Sequence, residues 1–181
     1  MDAAFLELPQ DLARWIGVES EPIRAPGPIE WSDVRRYMNA AGDTNPEWGV
    51  AGGRDPSRVG ALAPPAMILD VLRPGPGRDD AGESGDRPFP SPAGLASAIV
   101  VPGERVRLNA GTDIEWLRPL RIGDWVTVVL KITGIERKET PMGSGVFITE
   151  ERRYFDQAGE PIATSRQTTV RLLSASATTG S

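Results

Sequence analysis

The residues with the clearest chemical potential lie in one short run, from Ala41 to Trp48, which reads AGDTNPEW. Asp43 offers a carboxylate that could act as a general acid or base, and Asn45 offers an amide that could position a water molecule. The chain contains no histidine and no cysteine. The commonest general base near neutral pH and the thiol nucleophile are therefore excluded. Catalysis at this run would depend on the carboxylate alone or on a partner chain.

The same run also has a purely structural interpretation. Gly42 is a plausible helix C-cap, and Asp and Asn favour turns because their side chains hydrogen-bond to the nearby backbone. Asp43 could therefore form a turn without any chemical role. We expect Trp48 to pack against the core or a partner rather than to contact a substrate, although its ring can fill the space of an imidazole and a water.

Composition limits the classes of function. The 181 residues fit one domain, and the formal net charge of −5 gives no electrostatic basis for binding nucleic acid or an anionic membrane surface. A zinc site built from carboxylates only is improbable. The sequence has neither the pattern of a signal peptide nor an apolar run long enough to span a membrane. We therefore expect a cytoplasmic location.

The elements that must position this run begin with three segments of helical spacing. These predicted helices cover residues 8–18, 31–41 and 63–72, with a short extended piece around Ile23. The third segment is nearly all apolar and carries its two prolines in the first turn, where proline is tolerated, which predicts a helix buried on most sides. Residues 74–102 are rich in Pro, Gly, Asp and Ser and are predicted to form a long surface loop.

From residue 105 the apolar period changes from helical to two, which predicts strands. The strand over 125–135 is expected to bury one face, and further strands follow over 146–154 and 162–172. The charged run Glu150–Arg153 is interpreted as a solvated strand face. Residues 174–181 are predicted to be a flexible polar tail or linker. Helices followed by long antiparallel strands indicate one α+β domain over residues 1–173.

A family resemblance rests on three segments in order. Residues 37–48 resemble the signature of the MaoC-type hot-dog hydratases, in which Gly-Asp-x-Asn-Pro precedes an apolar residue and a histidine. Asp43, Asn45 and Pro46 match that signature, whereas Trp48 stands in place of the histidine. Residues 63–67 resemble the start of the family's central helix, and residues 118–124 resemble its turn between strands.

The resemblance implies a hot-dog fold, an antiparallel sheet wrapped around a central apolar helix. The family adds water across the double bond of an enoyl thioester, with an Asp–His pair that activates the water. With Trp48 in place of histidine, the chain is similar to the non-catalytic half of such enzymes, as in heteromeric hydratases of actinobacterial steroid side-chain degradation. The implied partner is a second MaoC-like subunit that supplies the Asp–His dyad, in a heterodimer or heterotetramer. The implied ligand is an acyl-CoA, with no cofactor beyond its coenzyme A and no metal.

The same resemblance implies substrate contacts. Trp48, Pro65, Met67 and Ile68 would shape the acyl pocket, although Met67 and Ile68 are more simply interpreted as core residues. Arg118 could contact a CoA phosphate, or it could be an ordinary arginine of an exposed turn. Two other functions stay open: a thioesterase that uses a single carboxylate, and a scaffold that binds acyl-CoA without turnover.

Overall fold

A computed structural model describes residues 5–6, 8–45, 47–48, 60–72 and 94–174 of the chain. Within these ranges the helices precede the long strands, so the predicted α+β order is confirmed. Residues 74–93 of the predicted loop and residues 175–181 of the predicted tail lie outside the described residues. The elements are β1 (Phe5–Leu6), α1 (Gln10–Ala13), β2 (Ile23–Arg24), α2 (Trp31–Ala41), 3₁₀ helices at Pro65–Asp70 and Leu95–Ala98, β3 (Glu104–Trp116), β4 (Thr127–Thr140), β5 (Gly143–Phe155) and β6 (Pro161–Leu173).

All strands join one antiparallel sheet in the order β1-β4-β5-β6-β3, and β2 pairs with β4 as well. The three predicted long strands are confirmed, and β4 extends five residues further than its apolar period indicated. Within the described part of the chain β3 pairs with β6 alone. This strand of 13 residues therefore forms an edge of the sheet.

One face of the sheet supplies most of the core. Val128, Leu130 and Ile132 on β4 are fully buried, as their alternation predicted. A bulge between Ile132 and Gly134 shifts the register of β4 against β5. Because the bulge changes the phase by one residue, Ile135 is also buried.

Helix α2 has the predicted bounds, and the run from Ala41 to Trp48 begins at its carboxyl end. Glu30 and Asp33 form a capping box at its start. Gly42 ends it in the left-handed region, at φ 63°, where glycine has no steric penalty. Val34 anchors the helix in the core. The first residues after this cap are therefore held in a defined position.

The first predicted helix is shorter than its apolar spacing indicated. Helix α1 covers only Gln10–Ala13, and the chain then turns to run along β4. The N–H groups of Gly17 and Ser20 donate to the carbonyls of Ile132 and Leu130, at 2.8 and 2.9 Å. These sheet hydrogen bonds replace the helical ones, so the prediction over 8–18 was wrong beyond the first turn.

The apolar segment 63–72 was also predicted wrongly in length and burial. It forms a 3₁₀ helix over Pro65–Asp70, in which Met67 and Ile68 are buried and Leu69 is 37% exposed. Pro64 precedes this 3₁₀ helix and Pro65 is its first residue. The N–H of Ala63 bonds to the carbonyl of Leu120 at 2.9 Å, which keeps the preceding backbone extended. A 3₁₀ helix of only six residues buries one side and leaves the other exposed.

Part of the predicted surface loop 74–102 belongs to the core. Leu95, Ala96, Ile99 and Val101 are buried, and the Leu95–Ala98 helix contacts β4 and β5. Glycine, proline and serine are frequent in residues 74–93, and they led to the loop prediction for the whole range 74–102. Its last nine residues instead follow the apolar pattern that burial requires.

Candidate functional site

The run after α2 folds into two successive turns closed by side chains. Oδ1 of Asp43 accepts the N–H of Asn45 at 2.9 Å, and Oδ1 of Asn45 accepts the N–H of Glu47 at 3.1 Å. The indole Nε1 of Trp48 donates to Oδ2 of Asp43 at 3.0 Å. Asp43 and Trp48 are half-buried, whereas Asn45 is exposed. Pro46 of the signature lies outside the described residues.

This arrangement limits what Asp43 can do as a base. Both carboxylate oxygens already accept a hydrogen bond from the same turn. The Trp48 side chain packs at the edge of the core and offers a donor only, because an indole N–H has no lone pair for a proton. The turn can therefore hold its own conformation, but the two side chains cannot exchange a proton as an Asp–His pair does.

The predicted acyl contacts on the Pro65–Asp70 turn are divided between core and surface. Met67 and Ile68 are buried among core side chains, in line with their alternative interpretation as core residues, and Pro65 is exposed. Their neighbours Ala66 and Leu69 instead line a cavity of about 450 Å³.

This cavity lies between α2, the Pro65–Asp70 turn and one face of the sheet. Its apolar side is formed by Tyr37, Ala66, Leu69 and Leu72, whereas the sheet presents polar side chains. The polar lining comprises Asn109, Thr112, Arg152, Ser165 and Gln167, with Asp70 at the turn. A partly apolar, partly polar groove of this size suits an organic ligand more than a metal ion.

A buried ion pair stands beside the cavity on the same sheet face. Glu150 is 2% exposed, and its Oε1 accepts the Nε–H of Arg152 at 2.8 Å. Its Oε2 accepts the backbone N–H of Ala96 at 2.8 Å. Gly94, at φ 86°, lies so close that a Cβ there would be 2.5 Å from Oε1 of Glu150. The pair is therefore enclosed by the chain that leads into the second 3₁₀ helix.

Arg171 extends this polar cluster along β6. It is 1% exposed, and its Nη groups donate to Glu104 at 3.1 Å and to the carbonyl of Ala96 at 2.7 Å. Its Nε and the Oγ1 of Thr169 are buried without a hydrogen-bond partner among the described residues. Arg152, Thr169 and Arg171 line a second cavity of about 240 Å³.

The interpretation of Glu150–Arg153 as a solvated face was wrong for Glu150 and Arg152. The signal for their burial was present in the period of β5, since both fall in phase with Ile148 and Tyr154, which are fully buried. Tyr154 bonds to Ser165 at 3.2 Å, and burial raises the pKa of the Tyr154 hydroxyl. Glu150 and Arg152 therefore lie on the face of β5 that packs into the core, and they make part of that face polar.

Arg118 is bound within its own turn. Its Nη1 and Nη2 donate to the two oxygens of Asp124 at 2.8 and 3.0 Å, and Nη2 also reaches Asp156 at 2.9 Å. The hydrogen bonds with Asp124, aided by those with Asp156, raise the pKa of Arg118. The network ties the turn before β4 to the β5–β6 hairpin, which is a structural role. The CoA contact stays a prediction.

Two features are absent from the described ranges. These ranges contain no cluster of three or more Asp or Glu side chains placed to hold a metal ion. They also contain no helix long and apolar enough to cross a membrane.

Comparisons with known proteins agree with this architecture. Residues 14–165 match the family model described as FAS1-like, dehydratase domain region. A probable enoyl-CoA hydratase alpha subunit from Thermomonospora curvata is 30% identical over 161 residues, which cover 86% of this chain and 49% of the relative. The chain thus spans about half the length of that relative.

Solved structures show the same fold. A chain of the ChsH1-ChsH2 complex from Mycobacterium tuberculosis superposes with a TM-score of 0.69 at 22% identity, over 93% of both chains. A chain of the HadBC (3R-hydroxyacyl-ACP dehydratase) complex from the same organism gives 0.53 at 13% identity, over 86% of this chain and 96% of that one. The predicted hot-dog fold is confirmed, and the chain belongs to the FAS1-like, MaoC-like family of hydratase and dehydratase domains.

Proposed function

We propose that this chain is the non-catalytic, pocket-shaping subunit of a heteromeric enoyl-CoA hydratase. The observation that carries the proposal is the Trp48–Asp43 hydrogen bond, which fills the position of a catalytic imidazole with a side chain that cannot accept a proton. The whole chain lacks histidine, so no imidazole elsewhere in the chain can take its place.

The proposed reaction bonds the oxygen of a water molecule to C3 of a 2-enoyl thioester and delivers a proton to C2. In this proposal a second MaoC-like subunit supplies the aspartate and the histidine that hold the water and move its proton. The reaction needs no cofactor beyond the coenzyme A that the substrate carries, and no metal. The cytoplasmic location stays a prediction.

The edge of the sheet supports the proposed partner. Strand β3 leaves one side of its backbone unpaired within the described residues, and Val106, Leu108 and Trp116 on it are exposed. A long exposed edge with apolar side chains is a surface on which another strand can pair. The relative and the neighbours above are named as an alpha subunit and as complexes, which is consistent with a subunit role.

The cavity of about 450 Å³ supports a pocket-shaping role. It opens between α2 and a 3₁₀ turn that is far shorter than the central helix that the sequence predicted. Because that short turn leaves more of the sheet face accessible, we propose that the subunit accommodates bulky acyl groups, including those as large as a steroid side-chain intermediate.

The test is hydration of enoyl-CoA thioesters by this chain alone and after mixing with a histidine-bearing MaoC-like chain encoded beside it. We expect turnover in the mixture only, with a bulky enoyl-CoA preferred over crotonyl-CoA. Hydration by the isolated chain would overturn the non-catalytic role. Release of free CoA without a 3-hydroxyacyl product would instead indicate a thioesterase, and acyl-CoA binding without turnover in any mixture would indicate a scaffold.

A further inference from the structure

We propose that the polar end of the groove binds the carboxylate of an acyl group whose far end is charged, through Arg152, Thr169 and Arg171. The proposal rests on the proposed function only for the idea that an acyl group occupies the groove. The carboxylate site itself can be tested on this chain alone.

The groove comprises two neighbouring cavities on the same face of the sheet. The larger, about 450 Å³, and the smaller, about 240 Å³, share Arg152 and Gln167 in their linings. The larger carries the apolar side chains, Tyr37 and Leu69 among them, and the smaller is lined by charged and polar groups. A ligand that fits both has an apolar body and a polar end.

The smaller cavity contains donors that the protein leaves unused. Nε of Arg171 and Oγ1 of Thr169 are buried without partners, two residues apart on the same face of β6. The guanidinium of Arg152 carries five N–H donors, of which Nε–H is bound to Glu150. Buried polar groups without partners cost free energy, so their convergence on one cavity points to a ligand that accepts hydrogen bonds.

The positive charge around the smaller cavity favours an anionic ligand group over an uncharged hydrogen-bond acceptor. Arg107, Arg152 and Arg171 line it, and within the described residues they share only two carboxylates, those of Glu104 and Glu150. One positive charge is left over. Guanidinium groups match carboxylates in shape and charge, and such hydrogen bonds are stronger than neutral ones. At about 30 Å³ for one water molecule, the volume admits a terminal carboxylate with a few carbons but not a nucleotide.

The test is binding of octanoate and of octan-1-ol to the purified chain by titration calorimetry. The two probes have equal chain length and differ in the charged end. We expect octanoate to bind at least about tenfold more tightly, because a hydrogen bond to a charged group contributes more than a neutral one. Equal affinity for the two probes would overturn the proposal.

Two variants and a control locate the binding. The double variant Glu150→Gln/Arg152→Met removes both charges of the buried pair together, which avoids leaving one of them unpaired. We expect it to bind octanoate more weakly than the wild type and so to show a smaller preference over octan-1-ol, because the Arg152 donors are lost while the surplus charge of Arg107 and Arg171 over Glu104 remains. Thr169→Val should lower octanoate affinity about threefold without lowering the melting temperature, since it removes a buried hydroxyl that has no partner. Arg166→Met, at an exposed position on the opposite face of β6, should leave binding unchanged.

The outcomes separate this site from the proposed function. If the reconstituted pair hydrates an unsubstituted enoyl-CoA but the chain shows no preference for octanoate, the carboxylate site is wrong and the subunit role stands. If octanoate binds as expected and no mixture shows hydratase activity, the site stands and the subunit role is wrong. An undiminished octanoate preference in the folded double variant would overturn the site directly.

Discussion

Trp48 donates the N–H of its indole to Oδ2 of Asp43 across 3.0 Å, and the backbone N–H of Asn45 binds the other oxygen of the same carboxylate. Both carboxylate oxygens of Asp43 are therefore hydrogen-bonded within its own turn. A catalytic carboxylate needs one oxygen directed at water or at a base. The relationship between these two residues gives the turn a structural role that does not depend on catalysis.

Replacement of Asp43 tests whether the carboxylate has kept a role. We expect Asp43→Asn to leave the activity of the assembled pair within about twofold, because a non-catalytic carboxylate contributes no proton transfer. The measurement is kcat/KM of the mixture with a bulky enoyl-CoA. The matching aspartate-to-asparagine change in the partner is the control, and it should lower the rate by about 10² to 10⁴. A comparable loss from Asp43→Asn would contradict the proposed division of labour.

Loss of the indole donor should affect stability rather than activity. Trp48→Phe keeps the ring but leaves Oδ2 of Asp43 without its donor, and we expect a loss of about 1 kcal/mol in the free energy of unfolding. Urea denaturation of the isolated chain measures it. Trp116→Phe is the matched control, since no hydrogen bond to the Trp116 indole is present among the described residues. Equal effects at the two positions would mean that the hydrogen bond contributes nothing.

Gly94 should be intolerant of a side chain for two reasons. Its φ of 86° favours glycine, and a Cβ there would lie 2.5 Å from Oε1 of Glu150. We expect Gly94→Ala to lower the free energy of unfolding by about 3 kcal/mol, the upper range for a strained backbone position. Gly103→Ala is the control, because Gly103 has a φ of 77° with open space around its Cβ position. A similar loss at both positions would show that contact with the Glu150 carboxylate is unimportant.

Much of the fold was predictable because local pattern and tertiary structure agree. The alternation of β4 matched its buried face, and Gly42 ended α2 where the helical period stopped. The two helices predicted wrongly share one cause. In the segments 8–18 and 63–72, hydrogen bonds to distant backbone, such as that from Gly17 to Ile132, compete with helix formation. Apolar spacing does not contain information about such long-range partners.

The site was predicted less well than the fold. The turn at Asp43 and Trp48 was located by its residue types, but its internal hydrogen bonds depend on side-chain geometry. The polar core face around Glu150 was missed because charged residues are seldom buried unless paired, and composition favoured a solvated strand. The position of Glu150 along β5 would have indicated its burial, because residues two apart in a strand share a face whatever their type.

The turn around Asp156 should make stability depend on pH in acid. Desolvation raises the pKa of Asp156, but hydrogen bonds from the backbone N–H groups of Glu160 and Ala158 and from Arg118 outweigh it, so the folded pKa lies below the ordinary value of 3.8. The folded chain therefore binds this proton more weakly than the unfolded chain does. The resulting stabilisation is complete above pH 3.8 and is lost as the pH falls below that value toward the folded pKa.

The measurement is the free energy of unfolding of the wild type and of Asp156→Asn across a pH series from neutral to acid. We expect the variant to be less stable at neutral pH and the difference to shrink as the pH falls below 3.8. A difference that stays constant with pH would show that Asp156 stabilises the turn without its charge.

The edge strand β3 gives the sharpest test of the proposed partner surface. A lysine on an exposed edge discourages strand pairing, because its charge would have to be buried against the second chain. We therefore expect Leu108→Lys to weaken assembly with the histidine-bearing subunit by about tenfold, measured by light scattering after size-exclusion chromatography of the mixture. Val100→Lys, at a position that is 80% exposed and outside the strands, is the control and should assemble normally. The isolated Leu108→Lys chain should unfold within about 0.5 kcal/mol of the wild type, as expected for an exposed position. Normal assembly of a folded Leu108→Lys variant would place the partner on another surface.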